Sequence, residues 1–227
     1  MTFKSLAELK KVALRSEIVE MEIPDIKFLL DEKGLNSLVF TEPFSKTCFT
    51  CSTVSSFLSG SNVIYIDLDT VFTAYVRNNI FTFPEDSGYL SIYMPRASEF
   101  EESLADICSA IDSNSKLVIV DSINSFYHLY YKIRIGALNH LLSSYVLLLL
   151  NHCRRVGSRL LVTSMIRHKK TTEWVLAPSS RRLLESKSSA VLAADLLYGN
   201  LAINILKHRE LGNSKLLIRK EMIPILP

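Results

Sequence analysis

The sequence predicts an α/β protein built on a mostly parallel sheet, and three observations predict it. Short runs rich in β-branched residues, several apolar on both faces, suit strands covered on both sides. Between them lie longer segments with helical spacing of apolar residues, the alternation expected of βα units. The last third then changes to short strands separated by turn residues, which reads as an antiparallel meander extending the same sheet.

The candidate strands of the parallel part are Ser37–Thr41, Asn62–Asp67, Tyr89–Tyr93, Lys116–Asp121 and Arg159–Ser164. Helical patterns run near Thr47–Leu58, Thr70–Asn78, Ser98–Ile111 and Ile135–Val156, the last with a Leu-rich surface suited to packing on a sheet. The meander is read as Asp195–Tyr198, Leu201–Lys207 and Ser214–Arg219, with turns at Gly199-Asn200 and Leu211-Gly212-Asn213. Between the two parts, Ile166–Ser189 reads as a long, polar and basic connection, of a length that is usually functional. Residues 34–227 form the core domain. Residues 1–33, with helical spacing in their first half, are expected to be a helical cap or an arm for a neighbouring subunit.

Composition excludes several classes. At 227 residues, 48% hydrophobic and 22% charged, the chain is long and apolar enough to fold around a sizeable core. Seven glycines are too few for a site made of several Gly-rich loops. The opening residues lack a secretory signal, and the longest apolar stretch, around Leu141–Leu150, is too short to span a bilayer. A cytoplasmic, membrane-free protein is therefore expected. Cys48 and Cys51 form a C-x-x-C with no second pair to complete a zinc site, and they sit in an apolar helical pattern, so no metal role is expected.

The net charge of +3 conceals an asymmetry, because residues 1–150 carry 12 Lys/Arg against 18 Asp/Glu and residues 151–227 carry 14 against 5. The basic part can meet the acidic half of the same molecule, a partner subunit or a nucleic acid.

Two strand ends carry the chemistry. The run Lys116–Ser122 delivers Asp121 to the carboxyl end of an apolar strand, where open α/β sheets bind ligands and where a carboxylate can hold magnesium through water. The same aspartate can equally cap the next helix. A second strand, Asn62–Asp69, ends with Asp67 and Asp69 two residues apart and facing the same way.

This order of motifs resembles the RecA superfamily, including RadA recombinases, RadB-like paralogues and KaiC-like proteins. Tyr65-Ile66-Asp67-Leu68-Asp69 resembles the family's Y-I-D-x-E strand end, with candidate catalytic Asp69 where the family has the glutamate that activates water. Leu160–Ser164 resembles the fourth-strand segment, and Ala193–Leu196 through Lys207-His208-Arg209 resembles a terminal hairpin ending in K-x-R. The resemblance covers about residues 34–220. It implies a nucleotide site at Lys46, Thr47 and Asp121, with Asp121 the candidate magnesium residue. It further implies that Lys207 and Arg209 act in trans on a neighbour, and that DNA is contacted through the basic connection at Arg167, Lys169, Lys170, Trp174, Arg181 and Arg182. That connection reads equally as a solvated loop with a partly buried Trp174. His128, among Tyr127, Tyr130 and Tyr131, reads as part of a structural aromatic cluster.

The departures from the family are local and severe. In place of G-x-x-x-x-G-K-[ST], whose free amides wrap phosphates, the chain has Phe40-Thr41-Glu42-Pro43-Phe44-Ser45-Lys46-Thr47. Lys46-Thr47 survives, but both glycines are gone, Pro43 removes an amide, and Glu42 adds a negative charge. Met165 stands where many recombinases have a γ-phosphate-sensing glutamine. The expectation is a non-hydrolysing accessory or scaffolding subunit in DNA recombination and repair, with no cofactor, assembled with a RecA-family paralogue or with itself. The alternatives are a weak ATPase using ATP and Mg2+ with a partner subunit, and a subunit like those of the Elongator complex in tRNA modification.

Overall fold

A computed structural model describes residues 25–81, 83, 88–130, 133–170, 174–178, 181–212 and 214–224. The proposed cap or arm of residues 1–33 therefore lies mostly outside the described residues. Its end, a 3-10 turn at Ile26–Leu29, packs Ile26, Leu29 and Leu30 into the core.

The elements in chain order are β1 (Leu35–Phe40), α1 (Pro43–Leu58), β2 (Asn62–Asp67), α2 (Val71–Arg77), β3 (Leu90–Tyr93), α3 (Phe100–Ala110), β4 (Ser115–Asp121), α4 (Ile123–Leu129) and α5 (Ile135–Val156). They continue with β5 (Arg159–Lys170), β6 (Trp174–Pro178), α6 (Arg181–Lys187), β7 (Ser188–Leu197), β8 (Asn200–Lys207) and β9 (Lys215–Ile218). Eight strands form one sheet in the order β3-β2-β4-β5-β1-β7-β8-β9, and β6 pairs separately with the far end of β5. From β3 across to β7 every pairing is parallel. From β7 to β9 the pairings are antiparallel, as expected of a meander that extends the sheet.

Why the central strands are apolar on both faces is visible in their packing. Leu117 and Ile119 of β4 pack with Phe49 and Phe57 of α1, while the alternate residues Val118 and Val120 pack on the other face with Leu142 and Val146 of α5. α5 turns Leu138, Leu142, Val146, Leu149 and Cys153 inward, one helical stripe over about four turns. No helix among the described residues is long and apolar enough to cross a membrane.

The structure corrects four expectations. α1 begins at Pro43, not Thr47, because proline has no amide to leave unpaired at the first helical position. The segment read as a long connection is mostly regular: β5 runs on to Lys170, pairs with β6, and is followed by α6. β7 begins at Ser188 rather than near Asp195, its first half lying parallel to β1. The β7–β8 turn is Tyr198-Gly199, one residue earlier than read, and both residues have positive φ (52° and 81°), as a two-residue hairpin loop with a matching twist requires. α4, between the aspartate strand and the aromatic cluster, was not anticipated.

Gly34 turns the chain into β1 against the start of β7, where a Cβ would meet Ser189 Oγ at 1.9 Å and Ser189 Cβ at 2.3 Å. Gly136 in α5 has open space around it. Gly34→Ala is expected to destabilise the chain by about 1–3 kcal/mol, and Gly136→Ala to stabilise it by up to about 1 kcal/mol. Urea unfolding of the two variants checks the pair, and equal effects would contradict the close approach at Gly34.

Candidate functional site

The parallel strands deliver the chemistry-bearing residues to one margin of the sheet. β2 ends in Asp67 and β4 ends in Asp121, and the two are register partners on neighbouring strands. Asp69 follows β2 by two residues. Lys46 comes from the first turn of α1, just after β1, and reaches across β5 to Asp121 and Asp69.

The ammonium of Lys46 is buried, 2% exposed, and forms two ion pairs: 2.8 Å to Asp121 Oδ2 and 2.9 Å to Asp69 Oδ2. Burial opposes its charge, but the carboxylates of Asp121 and Asp69 prevail and hold its pKa above the ordinary lysine value. Asp121 is fully buried and has two further donors: Tyr65 OH at 2.5 Å on Oδ2 and Thr163 Oγ1 at 2.5 Å on Oδ1. Burial raises the Asp121 carboxyl, and Lys46 counters part of that rise.

Asp67 differs. Its Oδ2 accepts from the Thr73 amide at 2.7 Å and the Thr73 hydroxyl at 2.6 Å, but its Oδ1 is buried with no hydrogen-bond partner among the described residues. Burial raises its pKa to about 6, against the two Thr73 bonds and with the help of Asp121 and Asp69. Asp67, Asp69 and Asp121 can each offer an oxygen within 4.8 Å of the others, a donor set of the kind hard cations take. The Lys46 ammonium bonds two of those three side chains.

The approach to this site from β1 is short. Only Thr41 and Glu42 separate β1 from α1, and both are exposed. Glu42 is the N-cap but makes no side-chain cap bond. Ser45 Oγ donates to Glu42 O at 2.7 Å, and Thr47 Oγ1 donates to Pro43 O at 3.1 Å. The Lys46 amide also turns inward, to Glu42 O at 3.4 Å. Lys46 is thus the fourth helical residue, and the hydroxyl beside it donates its proton to its own helix.

The structure brings Lys46, Asp69 and Asp121 together and sets Lys207 and Arg209 far from them. β8 runs antiparallel to β7, so it ends at the opposite margin of the sheet. There Lys207 Nζ donates to Ser188 O at 2.5 Å, and Arg209 Nε lies 3.8 Å from Asp31 Oδ2. Among the described residues, both cations contact their own chain. The side chains of Arg167, Lys169, Lys170, Trp174, Arg181 and Arg182 lie outside what is described. Met165 offers its amide to Asn124 Oδ1 at 2.7 Å. Tyr127 and Tyr130 join an aromatic group with Phe126, Phe100 and Tyr145, while Tyr131 lies outside the described residues and His128 has no ring contact among those described. Cys48 and Cys51 are buried thiols, with Cys48 pushed up to about 11 by burial.

Three positions escaped the sequence reading. Tyr65 stacks on Phe72 at 3.8 Å between centroids and turns its hydroxyl to Asp121. Thr163 closes the other side of that carboxylate, and Thr73 holds Asp67. For Tyr65 and Thr163 the signal was present in the strands, because a lone hydroxyl in an apolar, buried run needs a polar partner nearby.

The comparisons with known proteins agree with this architecture. The chain is similar to the crystal structure of the RadB recombinase, with a TM-score of 0.66 and 19% identity over 89% of this chain and 96% of that one. The fold is RecA-like. In all, 453 chains of solved structures match, so the likeness speaks to fold and not to activity. No family model and no curated protein matches the sequence.

Two outcomes follow from the charges at the site. Lys46→Met leaves Asp121 buried without its counter-ion and is expected to cost about 3–5 kcal/mol of stability. Adding Asp121→Asn should recover part of that loss in urea unfolding, whereas strictly additive effects would show that the two are not paired. Asp67 has a folded pKa of about 6 against an ordinary 3.8, so the folded state binds the extra proton. Stability should therefore fall as pH rises from about 4 to about 6, by up to about 3 kcal/mol. Asp67→Asn should flatten that interval and be more stable than the parent at pH 7, while an unchanged slope would assign it to another group.

Proposed function

We propose that this chain is a RecA-fold protein that does not turn over nucleotide and acts as an accessory or scaffolding subunit in DNA recombination and repair. Its partner is a RecA-family paralogue or a second copy of itself. The observation that carries this reading is the two-residue joint between β1 and α1, with Lys46 locked between Asp69 and Asp121.

The residues present do not suit a nucleoside triphosphate with magnesium. A phosphate cradle needs several backbone amides free and convergent before the lysine. Here Pro43 has none, the Lys46 amide bonds within the helix, and the exposed Glu42 carboxylate faces any incoming polyphosphate. Lys46 would have to leave two carboxylates, one fully buried, before it could meet a phosphate. No nucleotide-dependent step is therefore derived for this chain. Retention of the sheet and its covering helices fits a role in docking and support. The placing of this role in recombination and repair draws on the likeness to the RadB recombinase and on the sequence resemblance.

A second reading, a weak site for ATP and Mg2+ completed by a partner subunit, is favoured by the convergence of Lys46, Asp69 and Asp121 at one point. Thermal unfolding separates the two. A site of about 10 μM affinity would raise Tm by roughly 5–10 °C in about 1 mM Mg-ATP. The expected shift is below about 1 °C; a rise of several degrees that disappears in Lys46→Ala would establish a nucleotide site and favour the second reading, and phosphate release above background by that site would overturn the first.

A further inference from the structure

The charge asymmetry of the sequence has a place in the fold. The parallel strands start at the margin of the sheet away from Lys46, and cations collect there. Lys33 lies in the turn before β1, Arg154 and Arg155 lie in the last turn of α5 just before β5, and Lys187 ends α6 where β7 begins. Lys207 and Arg209 close β8, which finishes at the same margin. All six are exposed.

Contacts hold three of these residues, Arg154, Lys207 and Arg209, in or beside the turn at residues 31–34 and the start of β7. Arg154 Nε donates to Lys33 O at 2.7 Å, which fixes the arginine beside the turn. Lys207 is held by Ser188 O and Arg209 lies against Asp31. The close approach of Gly34 to Ser189 keeps the turn against β7. Local negative charge is smaller than the positive: Asp31 is buried and accepts the Lys33 amide at 2.9 Å, Glu32 pairs with Arg159 at 2.6 Å, and Glu210, exposed beside Arg209, adds one carboxylate. The acidic surplus lies elsewhere, with Glu101, Glu102 and Asp106 exposed along α3. Among the described ion pairs, none joins α3 to this basic margin.

We propose that this margin of the sheet binds the phosphate backbone of a nucleic acid. The cations are strung along the sheet rather than gathered in a cleft, which suits a line of phosphates and not one small anion. From β5 across β1 and β7 to β8 is three strand spacings, about 14 Å, the axial rise of about four base pairs of a duplex at about 3.4 Å each. Three of the six are arginines, whose planar forks match phosphate oxygens. The surface is distinct from the basic segment at residues 167–182. The choice of nucleic acid over an acidic protein rests on the recombination reading above, but the surface is independent of the Lys46 site, so failure here leaves the nucleotide prediction standing.

The test is fluorescence anisotropy of a labelled DNA oligonucleotide titrated with the full chain between about 50 and 200 mM salt. Arg155→Glu with Lys187→Glu alters two exposed side chains and is expected to weaken binding at least about tenfold and to reduce the salt slope by about 1–2. Affinity within twofold of the parent would overturn the proposal. So would a loss confined to Lys169→Ala with Lys170→Ala and Arg182→Ala. Displacement of the DNA by polyglutamate as effectively as by unlabelled DNA would mark the margin as a surface for an acidic protein and would also overturn it. If the double reversal lowers the melting temperature, Lys33→Glu carries the same comparison.

Discussion

The rest of the structure depends on a single buried ammonium. Two neighbouring parallel strands end in aspartates that are register partners, and a third carboxylate follows two residues later. Three like charges so close, with one fully buried, would push β2 and β4 apart or force protons onto the carboxyls. Lys46 relieves this by pairing with two of them, and Tyr65 and Thr163 satisfy what remains of Asp121. Asp67, which the lysine does not reach, instead has a raised pKa. The start of α1 at Pro43 follows the same logic, since it sets the lysine on the first turn of a helix packed into the core.

That arrangement also decides what the margin can do. Held between two carboxylates, Lys46 would have to exchange those bonds to receive a polyphosphate, so the two tasks compete. In this chain the first task has two charge-assisted bonds in a dry setting, and the second lacks the convergent amides that would compete for the side chain. The cluster thus balances much of its own charge from within and ties the ends of β2 and β4 to the start of α1.

Much of this was legible in the sequence. Asn62–Asp67 and Ile135–Val156 were read with their observed bounds because their periodicity is strong and their neighbours polar. Asp69, Asp121 and Lys46 were legible as strand-end and helix-start residues, although nothing in a one-dimensional pattern said that they would pair with each other. The start of α1 was misplaced because Lys46-Thr47 drew attention away from Pro43, whose lack of an amide was the better marker. The outer half of β5, ending Arg-His-Lys-Lys, has no apolar alternation and gains its strand character from pairing with β6. The first half of β7, Ser-Ser-Ala-Val-Leu-Ala-Ala, is made of small residues with weak strand preference, and its place between β1 and β8 supplies what propensity does not.

The sheet also tapers. Its two outermost strands, β3 and β9, have four residues each, whereas those between them have six to twelve. An outer strand leaves one row of amides and carbonyls without a ladder, an invitation to fuse with any other extended chain. Brevity limits that invitation to a few groups on each flank, and at β9 the row opens with Lys215. Uncontrolled stacking into fibrils is thus discouraged by the shortness of both flanks.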